Sequence, residues 1–349
     1  MKIAQVSPLY ESVPPKLYGG TERVVSYLTE QLVSLGHDVT LFASGDSVTS
    51  ANLVPVCSQS LRLNKDCVDQ MAHHLLMLEQ VAQLANEFDI IHFHVDYIHF
   101  PITRRLNIPN VTTLHGRLDI PDLYPLFQEF SDMPLVSVSD SQRTPMLWAN
   151  WAGTVYHGLP EDAYPFVGEP GKYLAFLGRI SPDKGVDKAI EIAKRCGMEL
   201  KIAAKLAPYD QEYFDEVIKP LLDHPLVEFI GEVGEAEKGD FLGNAHAVLF
   251  PIQWPEPFGL VMIESMACGT PVIAYPYGSV PEIMEDYKTG FVVDNIDSAV
   301  EAVERVSSLD RRLPRQAFEY RFSSYRMARD YLAIYEKLVE EKTPSIMVA

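Results

Sequence analysis

Hydrophobic period changes repeatedly along this chain, and that alternation limits the folds open to it. Short β-branched runs, such as 2–6, 38–43 and 90–93, are separated by longer segments whose apolar positions recur every three or four residues. In 22–35, Val24, Val25, Leu28, Leu32 and Leu35 line one helical face, and Gly36 stops the helix. A helix is expected over 71–85, and strands over 111–114, 135–137 and 155–157. Strands alternating with helices imply parallel βαβ units and doubly wound α/β sheets.

The rhythm fails once. Gly158, Pro160, Pro165, Gly168, Pro170 and Gly171 crowd a stretch without periodicity, read here as a linker over 158–171. Alternation then resumes. Strands are expected at 173–177, 200–203, 227–230, 247–250, 272–274 and 291–293, with helices at 185–196, 213–222 and 259–267. At 349 residues the chain is too long for one ordinary core. Two domains are expected, 1–160 and 171–320. A last helix, beginning at residue 324 and reaching to 340–345, carries Ala328, Tyr331, Leu332, Tyr335, Leu338 and Val339 on one stripe. It lies beyond the last strand and must find its own surface.

Charge and cysteine content exclude several roles. The chain carries 29 Lys+Arg against 48 Asp+Glu, a net −19, divided almost evenly at −9 for 1–165 and −10 for 166–349. Such a surface repels nucleic acid and anionic lipid, so neither is an expected partner. Cys57, Cys67, Cys196 and Cys268 form no CxxC pair and read as reduced thiols of a cytoplasmic protein. Neither a signal peptide nor an uncharged apolar run of membrane-spanning length is apparent.

Four segments put unusual residues where parallel sheets place ligands, at the carboxyl ends of strands. Gly19 and Gly20, following Tyr18 and preceding Glu22, let backbone N–H groups approach an anion at a helix start. Arg179 and Lys184 lie five residues apart on a strand-to-helix turn. The first can grip phosphate oxygens with a planar fork, and the second supplies a point charge. Glu256-Pro257-Phe258-Gly259-Leu260 opens the apolar helix, with Pro257 expected in its first turn. Amides of Phe258, Gly259 and Leu260 would face an anion. Glu264, one turn in, is costly to bury without partners; sugar hydroxyls, an internal arginine or solvent could satisfy it. Finally, His115 stands at a strand end. The His92-x-His94 pair leaves a metal reading open, but no further ligand cluster supports it. Nucleophile-elbow, P-loop and G-x-G-x-x-G fingerprints are all missing.

Together these segments resemble the GT-B glycosyltransferases, specifically the retaining family 4, over nearly the whole chain. The most specific part is Glu256 through Glu264, the E-x7-E motif, continued by Gly269-Thr270-Pro271 and Gly278-Ser279-Val280-Pro281-Glu282. The resemblance implies two Rossmann-like domains facing a cleft, an acceptor-side N-terminal one and a nucleotide-sugar-binding C-terminal one. It also implies that the last helix crosses back to the first. Arg179 and Lys184 would hold the donor diphosphate, Glu264 the ribose, and Glu256 the sugar hydroxyls. Gly19 and Gly20 would close over the phosphates, His115 would touch the sugar, and Gly231, Glu232 and Val233 would meet the base. The expected reaction is metal-independent transfer, without a cofactor, from a UDP- or GDP-sugar to a hydroxyl acceptor, with at most transient membrane association. A nucleotide-sugar hydrolase or epimerase, or a non-catalytic sugar-nucleotide binder, is the alternative. Two departures stand out: Ala203-Ala204-Lys205 replaces a glycine common after that strand, and Trp254 precedes Glu256.

Overall fold

The computed structural model describes residues 1–16 and 19–342. The chain divides into two compact units: Met1–Gly158 together with the chain from Ser324 onward, and Leu159–Ser323.

The first unit is built on β1 (Lys2–Val6), β2 (Asp38–Ser44), β3 (Asn52–Cys57), β4 (Ile90–Phe93), β5 (Asn110–Thr113), β6 (Leu135–Ser137) and β7 (Trp151–Thr154). All pair in parallel, in the order β3-β2-β1-β4-β5-β6-β7. The second unit has β8 (Tyr173–Arg179), β9 (Glu199–Lys205), β10 (Val227–Gly231), β11 (Ala245–Phe250), β12 (Val272–Ala274) and β13 (Gly290–Val292). These too are parallel, in the order β10-β9-β8-β11-β12-β13. In each sheet the winding reverses beside the unit's own first strand, between β1 and β4 and between β8 and β11. Loops leaving adjacent strands there run in opposite directions and open a crevice.

Several elements differ from the sequence reading. β3 was not expected: it is an edge strand carrying Pro55, and an edge is where a strand tolerates a residue without an N–H. β7 occupies Trp151–Thr154 rather than 155–157, because Ala152 and Gly153 weaken its β signal. The helix expected at 213–222 is irregular, passing from an α turn at Gln211–Tyr213 through a π turn at Phe214–Ile218 to a 3-10 turn at Lys219–Leu221. Pro220 removes one N–H from that ladder.

The segment 158–171 is not a spacer. From Leu159 on it is folded into the second unit. Leu159 N donates to Phe322 O at 2.9 Å, Val167 N donates to Cys268 O at 3.0 Å, and Tyr164 is buried. It runs across helix Glu235–Gly243, whose glycines make room. A Cβ on Gly239 would lie 2.9 Å from Pro165 Cδ, and one on Gly243 would lie 2.7 Å from Val167 Cγ2. Arg311 ties the crossing down, donating to the carbonyls of Val167, Ala245 and Gly243 at 2.8–2.9 Å.

The last helix, Ser324–Lys342, packs on the first unit. Tyr331 and Tyr335, one turn apart, are fully buried against a polar stripe of that unit's sheet. Tyr335 Oη lies 3.1 Å from Gln5 Nε2 and 2.6 Å from His92 Nδ1. Tyr331 Oη lies 2.9 Å from Thr113 Oγ1, which in turn meets His92 Nε2 at 2.7 Å. Residues 343–345, included in the expected helix, lie outside the described residues. None of the described helices is long and apolar enough to cross a membrane.

Burial keeps four histidines of this unit neutral. His92, His94, His99 and His157 are held well below the ordinary imidazole range by loss of solvation, to which neighbouring imidazoles add for His92, His94 and His157. Unfolding frees each to protonate near pH 6.5. Below that pH the unfolded state binds more protons, so stability is complete above about 6.5 and is lost as pH falls, by about 1.4 kcal/mol per pH unit for each histidine. Urea midpoints should therefore drop steeply between pH 7.5 and 5.5. Equal midpoints would contradict buried neutral rings.

Candidate active site

In the second unit, the site grows from the two strands at the winding reversal. After β8 the chain passes Ser181, makes a 3-10 turn at Pro182–Lys184, and enters helix Val186–Cys196 through Gly185. Gly185 has φ +70°, and a Cβ there would lie 2.2 Å from the Pro251 carbonyl oxygen. The turn from β8 thus rests on the loop leaving β11. Gln253 N donates to Asp183 O at 2.8 Å and locks the two loops together.

That contact brings Lys184 to Glu256. Lys184 Nζ pairs directly with Glu256 Oε2, and Trp254 Nε1 donates to the same oxygen at 2.8 Å. The ammonium also lies over the indole, 5.0 Å from its centroid. Both charged side chains are largely buried, at 16% and 12% exposed.

The loop carrying Glu256 is braced from behind. Ser279 N donates to Glu256 O at 3.0 Å, and Ser279 Oγ donates to Phe258 O at 2.8 Å. A Cβ on Gly278 would come within 2.3 Å of Glu256 N, so the two segments lie in backbone contact. Helix Leu260–Ala267 then begins after Gly259, whose φ is +79° and which offers no capping side chain. Its first N–H groups are left to an anion or solvent. Phe258 is buried, whereas Gly259 and Leu260 are half-buried. Pro257, expected in the first helical turn, stands in the loop ahead of the helix.

Glu264 is buried at 4% exposure, and the partner that makes this affordable is one the sequence did not reveal. Lys238 Nζ lies 2.8 Å from Glu264 Oε1 and 3.1 Å from Glu235 Oε2. Tyr164 Oη donates to Glu235 and approaches Glu264 Oε1 at 3.4 Å. Two carboxylates, one ammonium and one phenol form a single cluster. Gly239, next to Lys238, hid that helix from periodicity.

Arg179 sits at the same strand end but is held elsewhere. Its Nη1 donates to Tyr209 Oη at 2.7 Å, and its Nε lies 3.3 Å from Asp210 Oδ2, both on the segment after β9. Gly231 ends β10 with φ +78°, and Glu232 and Val233 continue toward helix Glu235–Gly243. No hydrogen bond or ion pair joins 231–233 to Lys184 or Glu256.

The first unit holds the remaining residues. Gly19 precedes helix Gly20–Ser34, which has no side-chain cap. A Cβ on Gly19 would lie 2.7 Å from Pro15 Cβ. Tyr18 lies outside the described residues. Glu22 is buried and accepts from Glu11 N at 3.3 Å; burial pushes its carboxyl up. His115, just past β5, pairs its Nε2 with His94 Nδ1 at 2.9 Å, and its ring stacks on His157 at 5.3 Å. The nitrogens of His92 and His94 are all engaged within the protein. Among the described residues no group of three or more His, Cys, Asp or Glu is placed to hold a metal ion.

Residues 165–321 match the glycosyl transferases group 1 family, and residues 18–151 match glycosyltransferase family 4. The chain belongs to glycosyltransferase family 4. Its two parallel-sheet units have the GT-B fold. This glycosyltransferase is 27% identical to a glycosyltransferase involved in avilamycin A biosynthesis. That likeness covers 97% of this chain and 98% of the other, with a TM-score of 0.76. An Anabaena protein, HepE, solved with UDP-glucose, is 18% identical over 97% of this chain and all of its own, with a TM-score of 0.71. N-acetyl-alpha-D-glucosaminyl L-malate synthase of Bacillus anthracis is 26% identical over 94% of this chain and 92% of its own.

The crossing at Gly185 is open to direct test. Gly185→Ala places a Cβ against the Pro251 carbonyl in a left-handed conformation that alone costs about 1–2 kcal/mol. The glycosyltransferase variant should lose at least that much stability in chemical denaturation, and Gly197→Ala, also at positive φ but with open space around it, should lose less. Equal losses would mean that the Pro251 contact adds nothing.

Proposed function

We propose that this glycosyltransferase moves a sugar from a nucleoside-diphosphate donor to a hydroxyl acceptor, with retention at the anomeric carbon and without an essential metal. The observation that carries this reading is the Lys184–Glu256 pair, set at the winding reversal beside an uncapped helix start. Breaking a glycosyl–phosphate bond builds negative charge on the leaving diphosphate. A helix terminus alone offsets roughly 0.3–2 kcal/mol of that. A preorganised donor in a dry site is worth about 3–4 kcal/mol.

Lys184 is such a donor. Its present partner, Glu256, holds the ammonium in place and leaves two N–H groups for phosphate oxygens. Arg179, held by Asp210 and Tyr209, would take the other side of the diphosphate. The amides of Phe258, Gly259 and Leu260 would supply further donors. Glu256 would accept from hydroxyls of the transferred sugar, and Glu264 from the ribose, with Lys238 balancing its charge. The base would lie by Gly231, Glu232 and Val233. On the first unit, the helix start at Gly19 and Gly20 suits phosphate oxygens, and His115 suits a sugar hydroxyl.

No side chain is assigned as nucleophile. The leaving phosphate itself would take the acceptor's proton on the face it departs from, which gives retention. HepE, with its bound UDP-glucose, supports a UDP-sugar as the first donor to try. The Bacillus anthracis relative, named for a malate product, supports including small hydroxy acids among the acceptors.

A thermal-shift panel of UDP-, GDP- and ADP-glucose tests the donor. One of them, at 100 times its dissociation constant, should add about 2.7 kcal/mol of stability. A flat response to every nucleotide sugar would count against the reading. Separately, Lys184→Ala should lower turnover by a factor of about 100–1,000 while moving the unfolding midpoint far less. Near-normal turnover in that variant would remove Lys184 from the phosphate role.

A further inference from the structure

Between the last helix and His115 runs an unbroken chain of hydrogen bonds whose direction is set by one amide. Gln5, on β1, is fully buried and uses both ends of its amide. Its Nε2 donates to Tyr335 Oη at 3.1 Å, and its Oε1 faces His94 Nε2 at 2.9 Å. A carbonyl oxygen only accepts, so His94 carries its proton on Nε2. The ring is neutral, because burial disfavours the imidazolium. His94 Nδ1 is therefore a lone pair. It faces His115 Nε2 at 2.9 Å, so His115 must donate from Nε2.

The other branch agrees. Tyr335 Oη already accepts from Gln5, and it is a neutral phenol, since burial raises its pKa well above the ordinary range. Its own proton goes to His92 Nδ1 at 2.6 Å, and His92 Nε2 donates to Thr113 Oγ1 at 2.7 Å. Each bond of the chain then has one donor and one acceptor, with no clash of polarity. Three histidines thus share one tautomer, fixed by one amide.

For His115 the consequence concerns the other nitrogen. No described residue hydrogen-bonds Nδ1, although the ring is only half-buried. His157 stacks on its face, 5.3 Å away and 18° from parallel. Arg326 of the last helix holds the carbonyls of Tyr156 and His157 at 2.6 and 3.0 Å. The ring is therefore fixed by an edge bond to His94 and by a stack.

We propose that Gln5 and His94 are positioning residues that hold His115 as its neutral Nε2–H tautomer, so that Nδ1 is a hydrogen-bond acceptor for a hydroxyl of the transferred sugar. This rests on the reading of His115 as a sugar contact. It assigns His115 a role distinct from that of Lys184 and Arg179. An imidazolium would be drawn to the diphosphate; a neutral acceptor receives a hydrogen bond from a hydroxyl and orients the sugar instead.

Long-range proton–nitrogen correlation spectra of the 15N-labelled full chain at pH 7.5 read the tautomer directly. His115→Ala identifies the signal by its disappearance. In the wild-type protein, the His115 ring should show a protonated Nε2 and an unprotonated Nδ1. A protonated Nδ1, which requires the Gln5 amide turned over, would overturn the proposal without any variant. His94→Ala and Gln5→Leu should convert the signal to a mixture of tautomers and lower kcat at least tenfold. KM for whichever of UDP-, GDP- or ADP-glucose stabilises the protein should move less than threefold. Gln5→Glu, which still accepts from His94 Nε2, should restore both tautomer and turnover relative to Gln5→Leu. An unchanged tautomer and kcat in His94→Ala would overturn the relay. Normal turnover in His115→Ala would instead remove His115 from the sugar, and the proposed role of Nδ1 with it, while leaving the measured tautomer intact.

Discussion

The first sheet turns a polar stripe inward, and the rest of that unit is arranged to make this tolerable. Gln5, His92, His94 and Thr113 lie on one face across three adjacent strands, all essentially out of water. Buried polar groups without partners cost about 1–3 kcal/mol each. An apolar cover would leave Gln5 Nε2 and His92 Nδ1 without partners and strip Thr113 Oγ1 of one of its two. The last helix supplies two phenols at helical spacing instead, each able to give and take a hydrogen bond. The chain therefore returns to the first unit after completing the second. The same helix, through Arg326, also fixes the strand exit that carries His157.

The second unit solves a different problem with the same topology. There a lysine and a glutamate are brought together in a chain of net −19. Global charge is screened over about a Debye length, so an anionic ligand responds to the local arrangement. The loops after β8 and β11 leave adjacent strands at the winding reversal, and Gly185 lets them touch at their bases. Lys184 meets Glu256 because two backbones are in contact, not because the two residues are near in sequence. Gly278 and Ser279 then hold the glutamate loop from the opposite side. These glycines and this serine fix the geometry of a charged pair to which they contribute no charge.

Much of this was legible beforehand. The parallel α/β class, two units and most strands follow from period and from one break in it, while the return of the final helix came from the family resemblance. Glu256, Glu264, Arg179 and Lys184 stand out because charged residues at strand ends and in apolar helices need a reason. Three of the misses share a cause. β3 carries a proline, helix Glu235–Gly243 carries glycines, and 158–171 is rich in both, so local propensity argued against structure that packing supplies. Those glycines are there because another segment crosses them closely. Lys238, the cation beside Glu264, was lost with its helix.

The sequence by itself determined which residue types were available at the strand ends, since periodicity places strands and helices and strand ends place ligands. Only the tertiary structure decided which of them act together. Glu264 belongs with Lys238 and Glu235, Arg179 with Asp210 and Tyr209, and His115 with His94. Each pairing joins segments far apart in the chain, and a single buried hydrogen bond or ion pair leaves no periodic trace. Hydrogen-bond polarity is the clearest case. A histidine in a sequence can carry its proton on either ring nitrogen, and the amide of Gln5, oriented between a phenol and a second imidazole, selects one of them.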